Sequence, residues 1–413
     1  MSTANTSVLP DWLRNAEADN DHITSVIQIL TKRERERASV RAASRHLSHP
    51  STTHRIAFAP TKLFKDADAI KHYAITVAWQ PDNKLANRYS DVAPYDRTRV
   101  VVGHDGTEPS GRYVNASWVR ELAGGKWWIA SQAPLPETAH AFLSIILEPV
   151  AHPQEDLHPP PAVTGSSSRV RTVVQLTQNM ESGMRKAHAY FPPEAGQSWI
   201  SPPEPGCSAP PLKVTLQDVQ VFDDAHCVQS TVSVQPLGSL NWADEQGEPV
   251  VFKHMLFSSW PDHSVPEPEH RIALLRFVRL VDETNRDVSS QPESVRDQLD
   301  PDPPVIVGCS AGIGRTGTFV AVSSLLRAYH FLPPPASPLH ADGELPPLAP
   351  SPLGPLPGEI KDDRIAQEVD SLREQRPGMV QRNDQLYLIY ECLMTAFAEK
   401  ANQQRDDPSG ASQ

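Results

Sequence analysis

Val305-Ile306-Val307-Gly308-Cys309-Ser310-Ala311-Gly312-Ile313-Gly314-Arg315-Thr316-Gly317-Thr318-Phe319 is the stretch on which the fold turns. Its first residues are β-branched and read as a buried strand. Its middle is a loop of small residues, and the run from Phe319 to Tyr329 is rich in helix formers. A strand that bends through such a loop into a helix start brings several backbone N–H groups to one point, at the positive end of the helix dipole. That arrangement suits a phosphate dianion. Gly312 and Gly314 permit the tight curvature and the close backbone approach that a side chain would block. Cys309 stands at the mouth, where donors that bind phosphate equally favour a thiolate nucleophile. Arg315 can fold back over the loop, and its planar fork suits two phosphate oxygens. The Cys-x5-Arg spacing alone is weak. A buried structural cysteine beside a surface arginine, however, leaves the small-residue interior unexplained.

Outward from this stretch, strands and helices mix. Val100 to Val102, Trp127 to Ala130 and Arg171 to Thr177 read as strands. Glu269 to Leu280 and Arg364 to Arg373 read as helices, and Ile23, Val26, Ile27 and Leu30 fall on one helical face behind the N-cap candidates Asp19, Asn20 and Asp21. The expected class is therefore α/β or α+β. The run Lys32-Arg33-Glu34-Arg35-Glu36-Arg37 reads as a solvated helix face, with a basic recognition patch as the alternative.

Composition narrows the function classes. The chain has 413 residues, 39% hydrophobic and 21% charged, ordinary for a globular protein. A net charge of −12 argues against a nucleic-acid or membrane-surface binder. Cys207, Cys227, Cys309 and Cys392 are too irregularly spaced for a zinc site or a secreted disulfide framework, so reduced thiols in the cytoplasm or nucleus are expected. Met1 to Pro10 lacks a signal-peptide pattern, and no apolar run reaches membrane-spanning length. Of the 41 prolines, 21 gather in three pieces, at residues 152–168, 192–211 and 332–358, which read as surface loops. A polyproline II site for an SH3-like partner is the functional alternative to a plain linker.

Cys309 to Phe319 resembles the signature loop of the protein tyrosine phosphatases, with Gly308 where that family usually has a histidine that helps hold the thiolate. Trp260-Pro261-Asp262 resembles the family's mobile acid loop, which makes Asp262 the general acid and Trp260 a support. Asn87-Arg88-Tyr89-Ser90-Asp91 resembles the phosphotyrosine-recognition loop, in which Tyr89 stacks on the substrate ring and Asp91 holds the peptide backbone. Gln375 to Tyr387 resembles the loop that positions hydrolytic water, with Gln381 orienting it and Gln385 contacting phosphate. Tyr113 to Ser117, Gln132 to Thr138 and Gln175 to Pro192 resemble further core motifs; the last of these implies that Glu181 pairs with Arg315 and Lys186 with Asp262.

The resemblance implies a twisted mixed β-sheet flanked by helices, in a phosphotyrosine-specific, non-receptor enzyme that works without metal or cofactor. It covers roughly residues 50 to 400 in the family's order. The expected organisation is a helical extension over 1–50, one catalytic domain over 51–400 with the Pro-rich insertions, and a disordered tail over 401–413. Cys309 would attack phosphorus while Arg315 and the amides of Ser310, Ala311, Gly312, Ile313 and Gly314 hold the oxygens. Thr316 would stabilise the thiolate as it leaves. The expected substrates are phosphotyrosine-containing proteins. A binding-only relative and a dual-specificity phosphatase are the competing classes; Gly308 speaks for the first and Tyr89 against the second.

Overall fold

The computed structural model describes residues 9–48, 67–103, 111–147, 169–241, 243–261, 264–336 and 347–406. In chain order the strands are β1 (Arg99–Val102), β2 (Arg112–Arg120), β3 (Trp127–Gln132), β4 (Thr172–Gln175), β5 (Met180–Glu181), β6 (Met184–Arg185), β7 (Ser198–Ser201), β8 (Leu212–Phe222), β9 (Cys227–Pro236), β10 (Val250–Phe257) and β11 (Val305–Cys309). The α-helices are α1 (Asp11–Ala18), α2 (Asn20–Ser48), α3 (Ala67–His72), α4 (Ala139–Leu147), α5 (Pro268–Arg286), α6 (Gly314–Ala328), α7 (Arg364–Gln375) and α8 (Asn383–Asp406).

Nine strands form one mixed sheet in the order β1-β2-β3-β11-β4-β10-β9-β8-β7, and β5 and β6 form a separate hairpin. The four central strands β3, β11, β4 and β10 run parallel, with antiparallel strands on either side. Central parallel strands are buried on both faces and read as continuous apolar runs. Val305-Ile306-Val307 is such a run. On one face the core packs α5, α6, α7 and α8 against Val174, Val305 and Val307; on the other, α4 packs with Ile129, Val173, Phe252 and Ile306. α5 opens with Pro268 at its first turn, where the missing N–H costs nothing. The Asp363 carboxylate accepts from Ala366 N at 2.8 Å and caps α7.

Three expectations need correction. The Lys32–Arg37 run is a solvated face only in part: Lys32, Arg35 and Glu36 are exposed, but Arg33 and Arg37, one turn apart, are 7% and 0% exposed. Arg33 donates to both Asp370 oxygens at 2.9 and 2.8 Å, and Arg37 bonds Asp370 and Glu374 of α7. The partners lie more than 300 residues away in sequence, beyond the reach of local patterning. With Val26 and Leu30 in the same core as α7 and α8, α2 is packed on the sheet's helical layer.

The second Pro-rich piece is not all loop, since β7 pairs with β8 and Glu204 accepts from Ala141 N at 3.1 Å. The described end of the third piece is engaged within the chain: Arg33 donates to the Gly354 carbonyl at 2.8 Å and Ser351 to Glu374 at 2.8 Å. The first piece, 152–168, lies outside the described residues. Finally, α8 runs through residue 406, so the first part of the expected tail is helical. Among the described residues no helix is long and apolar enough to cross a membrane.

Candidate active site

β11 ends at Cys309 in the middle of the sheet, and α6 starts five residues later. Ligands in open parallel sheets bind at such carboxyl ends. Two close approaches, one in the loop and one in the first turn of α6, fix this bend. Gly312 has φ +71°, and a Cβ there would overlap the Ser131 carbonyl of β3. Gly317 lies so close to Val380 N that a side chain would not fit. α6 has neither a side-chain cap nor an acidic residue in its first turn, which leaves its leading N–H groups to an anion.

Ala133 N donates to the carbonyls of Cys309 and Ser310 at 3.0 and 3.1 Å. Those two carbonyls therefore point away from the cradle's interior. Arg376 does the same for the next two, donating to Gly312 O at 2.7 Å and Ala311 O at 3.1 Å. Its other bonds go to Ser117 Oγ and Asn115 Oδ1. Arg376 is fully buried, and desolvation pushes its pKa down to about 10, with the nearby Tyr113 and Cys309 opposing the shift. It stays cationic at neutral pH, one layer behind the loop. Sequence reasoning quoted Arg376 only as part of a motif. An arginine placed directly before Pro-Gly at a helix end was the available signal.

Arg315, 8% exposed, is held as a fork: Nη1 donates to Glu181 Oε1 at 2.7 Å and Nη2 to Glu181 Oε2 at 2.8 Å. It also donates to Leu176 O and, at 3.1 Å, to Pro261 O. The expected pairing with Glu181 is present, and Arg315 bridges the cradle to the Trp260-Pro261 segment. Trp260, 2% exposed, donates its ring N–H to Ser264 O at 3.1 Å, tying together the two ends of the segment around residue 262. Asp262 lies outside the described residues, and with it the expected contact to Lys186. Lys186 itself is buried, and its carbonyl accepts from Ser310 Oγ at 2.7 Å.

Tyr89 comes to the mouth: its hydroxyl is 2.8 Å from Ser310 Oγ. Arg88 fixes that segment, donating to Ala133 O and Pro134 O while its N–H meets Gln132 Oε1. Its guanidinium also lies 3.0 Å from His188 Nδ1, and burial together with Arg88 and Arg185 holds His188 below the ordinary histidine pKa. Asp91 is exposed. On the opposite side Val380 adopts φ +56°, a conformation β-branched residues rarely take, and donates to Ile313 O at 3.2 Å. This places Gln381, exposed, directly beyond the loop's edge. Gln385 is buried against Gly314, where a Cβ would come within 2.9 Å of its amide. The Thr316 hydroxyl is fully buried and has no hydrogen-bond partner among the described residues. A buried hydroxyl left this way is costly unless chemistry uses it.

Gly308 meets an obstacle of its own. It pairs with Ser131 in the sheet register, and a Cβ would sit 2.8 Å from the Ser131 carbonyl. The histidine usual in the related family does not fit here without a shift of β3.

The protein-tyrosine phosphatase family model matches residues 83–152 and 166–331. Receptor-type tyrosine-protein phosphatase H of Homo sapiens is 28% identical over 327 residues, covering 79% of this chain and 22% of that protein. Tyrosine-protein phosphatase non-receptor type 20 of Mus musculus is 26% identical over 319 residues, 76% of this chain and 54% of that protein. Phosphatidylinositol phosphatase PTPRQ of Homo sapiens is 25% identical over 330 residues, 78% of this chain and 10% of that protein. The chain spans between a tenth and a quarter of the length of the first curated relatives it matches.

Proposed function

Because the chain belongs to the protein-tyrosine phosphatase family, we propose that it hydrolyses phosphotyrosine in proteins through a cysteinyl-phosphate intermediate. The observation that carries this reading is the Arg315 fork, pinned by Glu181 and Pro261 at the rim of a glycine-lined loop that starts at Cys309.

In the first step the Cys309 sulfur forms a bond to phosphorus as the bond to the tyrosine oxygen breaks. Arg315 and the loop amides from Ser310 to Gly314 hold the equatorial oxygens, and Asp262 gives its proton to the departing phenolate. In the second step Asp262 takes a proton from a water oriented by Gln381. That oxygen bonds to phosphorus, the S–P bond breaks, and thiolate and inorganic phosphate separate. The Thr316 hydroxyl donates to the leaving sulfur, and Gln385 contacts phosphate. Tyr89 lines one wall of the entrance, which favours the long phosphotyrosine side chain over phosphoserine, and Asp91 holds the substrate backbone.

The reading extends to a non-receptor role in the cytoplasm or nucleus, supported by four cysteines that are all free. No SH3-like partner is included, since Ser351, Leu353, Gly354 and Pro355 are bonded within the chain. The test is hydrolysis of phosphotyrosine, phosphoserine and phosphoinositide substrates side by side. Phosphotyrosine turnover that is abolished in Cys309→Ser supports the reading. Equal turnover of phosphoserine, or a preference for the inositide, overturns the substrate class.

A further inference from the structure

Three chain segments meet beside Ser310 at the mouth of the cradle. The Tyr89 hydroxyl lies 2.8 Å from Ser310 Oγ, that oxygen donates to Lys186 O at 2.7 Å, and Ala133 N donates to Ser310 O at 3.1 Å. Arg88 and Arg185 each stand one residue from these contacts in sequence. Arg88 spends Nε on Ala133 O and Nη2 on Pro134 O and His188 Nδ1, which leaves Nη1 without a partner among the described residues. A guanidinium can only donate, so His188 Nδ1 accepts and the ring carries its proton on Nε2. That N–H also has no partner among the described residues. Arg185 is exposed on β6 and forms no hydrogen bond or ion pair among them. Burial lowers the pKa of both Arg88 and His188, and the charge of Arg185 adds to the shift in each, so the three groups share one small volume. Glu137 is the carboxylate that faces Arg88 and His188, and it is exposed and in ion-pair contact with neither. The hairpin that carries Arg185 is fixed to the cradle, because its Glu181 braces Arg315.

We propose that Arg185, His188 and Arg88 form a second subsite beside the cradle, which takes an anionic side chain of the substrate, carboxylate or phosphate, close to the phosphotyrosine. This deepens the phosphatase reading and rests on it. Exposed ion pairs are weak on their own, because solvent screens them. Here the phosphotyrosine is already anchored, so the second contact forms within one complex and gains from its effective concentration. Guanidinium forks bind carboxylate and phosphate alike. The imidazole N–H adds a donor for a third oxygen, which phosphate has and carboxylate lacks, so a phosphate gains more. In a chain of net charge −12, the subsite also keeps acidic peptides from being repelled at the mouth.

The test compares three peptides that each carry one phosphotyrosine: one with neutral flanks, one with glutamates on both flanks, and one with phosphoserines on both flanks. Their binding to the full chain carrying Cys309→Ser is measured by calorimetry, and their turnover is measured with the wild-type chain. The expected result is an affinity gain of roughly tenfold for the glutamate peptide and more for the phosphoserine peptide. The gain should shrink as salt is raised. Adding Arg185→Gln should abolish most of it, Arg185→Lys should keep part of it, and kcat/KM should follow the same order. Equal binding of the three peptides, or a gain that survives Arg185→Gln, overturns the subsite. A gain for the phosphoserine peptide alone assigns the subsite to phosphate. A gain in binding with no turnover of any peptide overturns the phosphatase reading and leaves the subsite standing. Tighter binding to phosphoinositide vesicles than to the phosphoserine peptide overturns the peptide as its occupant.

Discussion

Arg315 and Glu181 form a two-point ion pair, 2.7 and 2.8 Å, in which both side chains are less than a tenth exposed. A guanidinium buried this deeply needs its partner, because breaking one side leaves an uncompensated charge. Glu181→Ala should therefore lower unfolding stability by on the order of 3 kcal/mol. It should also reduce kcat/KM by tenfold or more, since Arg315 loses the brace that aims it at the cradle. Urea denaturation and steady-state kinetics on an aryl phosphate check both. An unchanged kcat/KM would show that Arg315 orients itself without Glu181.

Gly308 faces Ser131 across the β3–β11 ladder, and its absent Cβ would approach the Ser131 carbonyl to 2.8 Å. Restoring the family's usual histidine should cost about 1–3 kcal/mol through overpacking. Gly308→Ala isolates the Cβ from the imidazole and should show most of the same loss. A denaturation midpoint equal to wild type in Gly308→Ala would mean that β3 yields freely.

Arg376 has no route to solvent and spends its donors on four acceptors, two of them cradle carbonyls. Arg376→Met keeps much of the volume but strands those acceptors. The expected cost is on the order of 3 kcal/mol, from several buried groups left unsatisfied at about 1–3 kcal/mol each. Because the residue positions the loop and does not touch substrate, kcat should fall further than KM rises. Arg376→Lys should recover part of the stability but little of kcat, for lack of the planar fork. Recovery of both together would assign Arg376 a purely structural role.

The strand, loop and helix from Val305 to Tyr329 could be read from sequence because each piece is decided locally, by β-branching, small residues and helix propensity. The same holds for α5, α7 and the strands β3 and β4, whereas β10 was not read as a strand. Arg33 and Arg37 could not be read this way, since their burial depends on Asp370 and Glu374, and an alternating charge run looks the same whether solvated or paired. β7 was hidden because Pro192 to Pro211 is rich in loop residues, and pairing with β8 overrides that bias for four residues. Gly308 was visible as a departure from the family pattern, but its cause, a backbone carbonyl on another strand, was not.

Glu374 gathers Arg37, Tyr73, His72 and Ser351 around one carboxylate. Burial alone would raise its pKa, but these donors win and hold it down to about 2. A carboxylate depressed from its ordinary value contributes stability that is fully present above about pH 4.5 and is lost as pH falls towards 2. The shift corresponds to on the order of 3 kcal/mol. Glu374→Gln should therefore be less stable than wild type at pH 7 by roughly that amount, and the gap should close between pH 4.5 and pH 2. Arg37→Met, which removes the main cation from the same cluster, should flatten the acid limb in the same window. Denaturant midpoints measured across that range decide the matter: a constant gap between wild type and Glu374→Gln would mean that this carboxylate is not what ties α2 and the Pro-rich segment to α7.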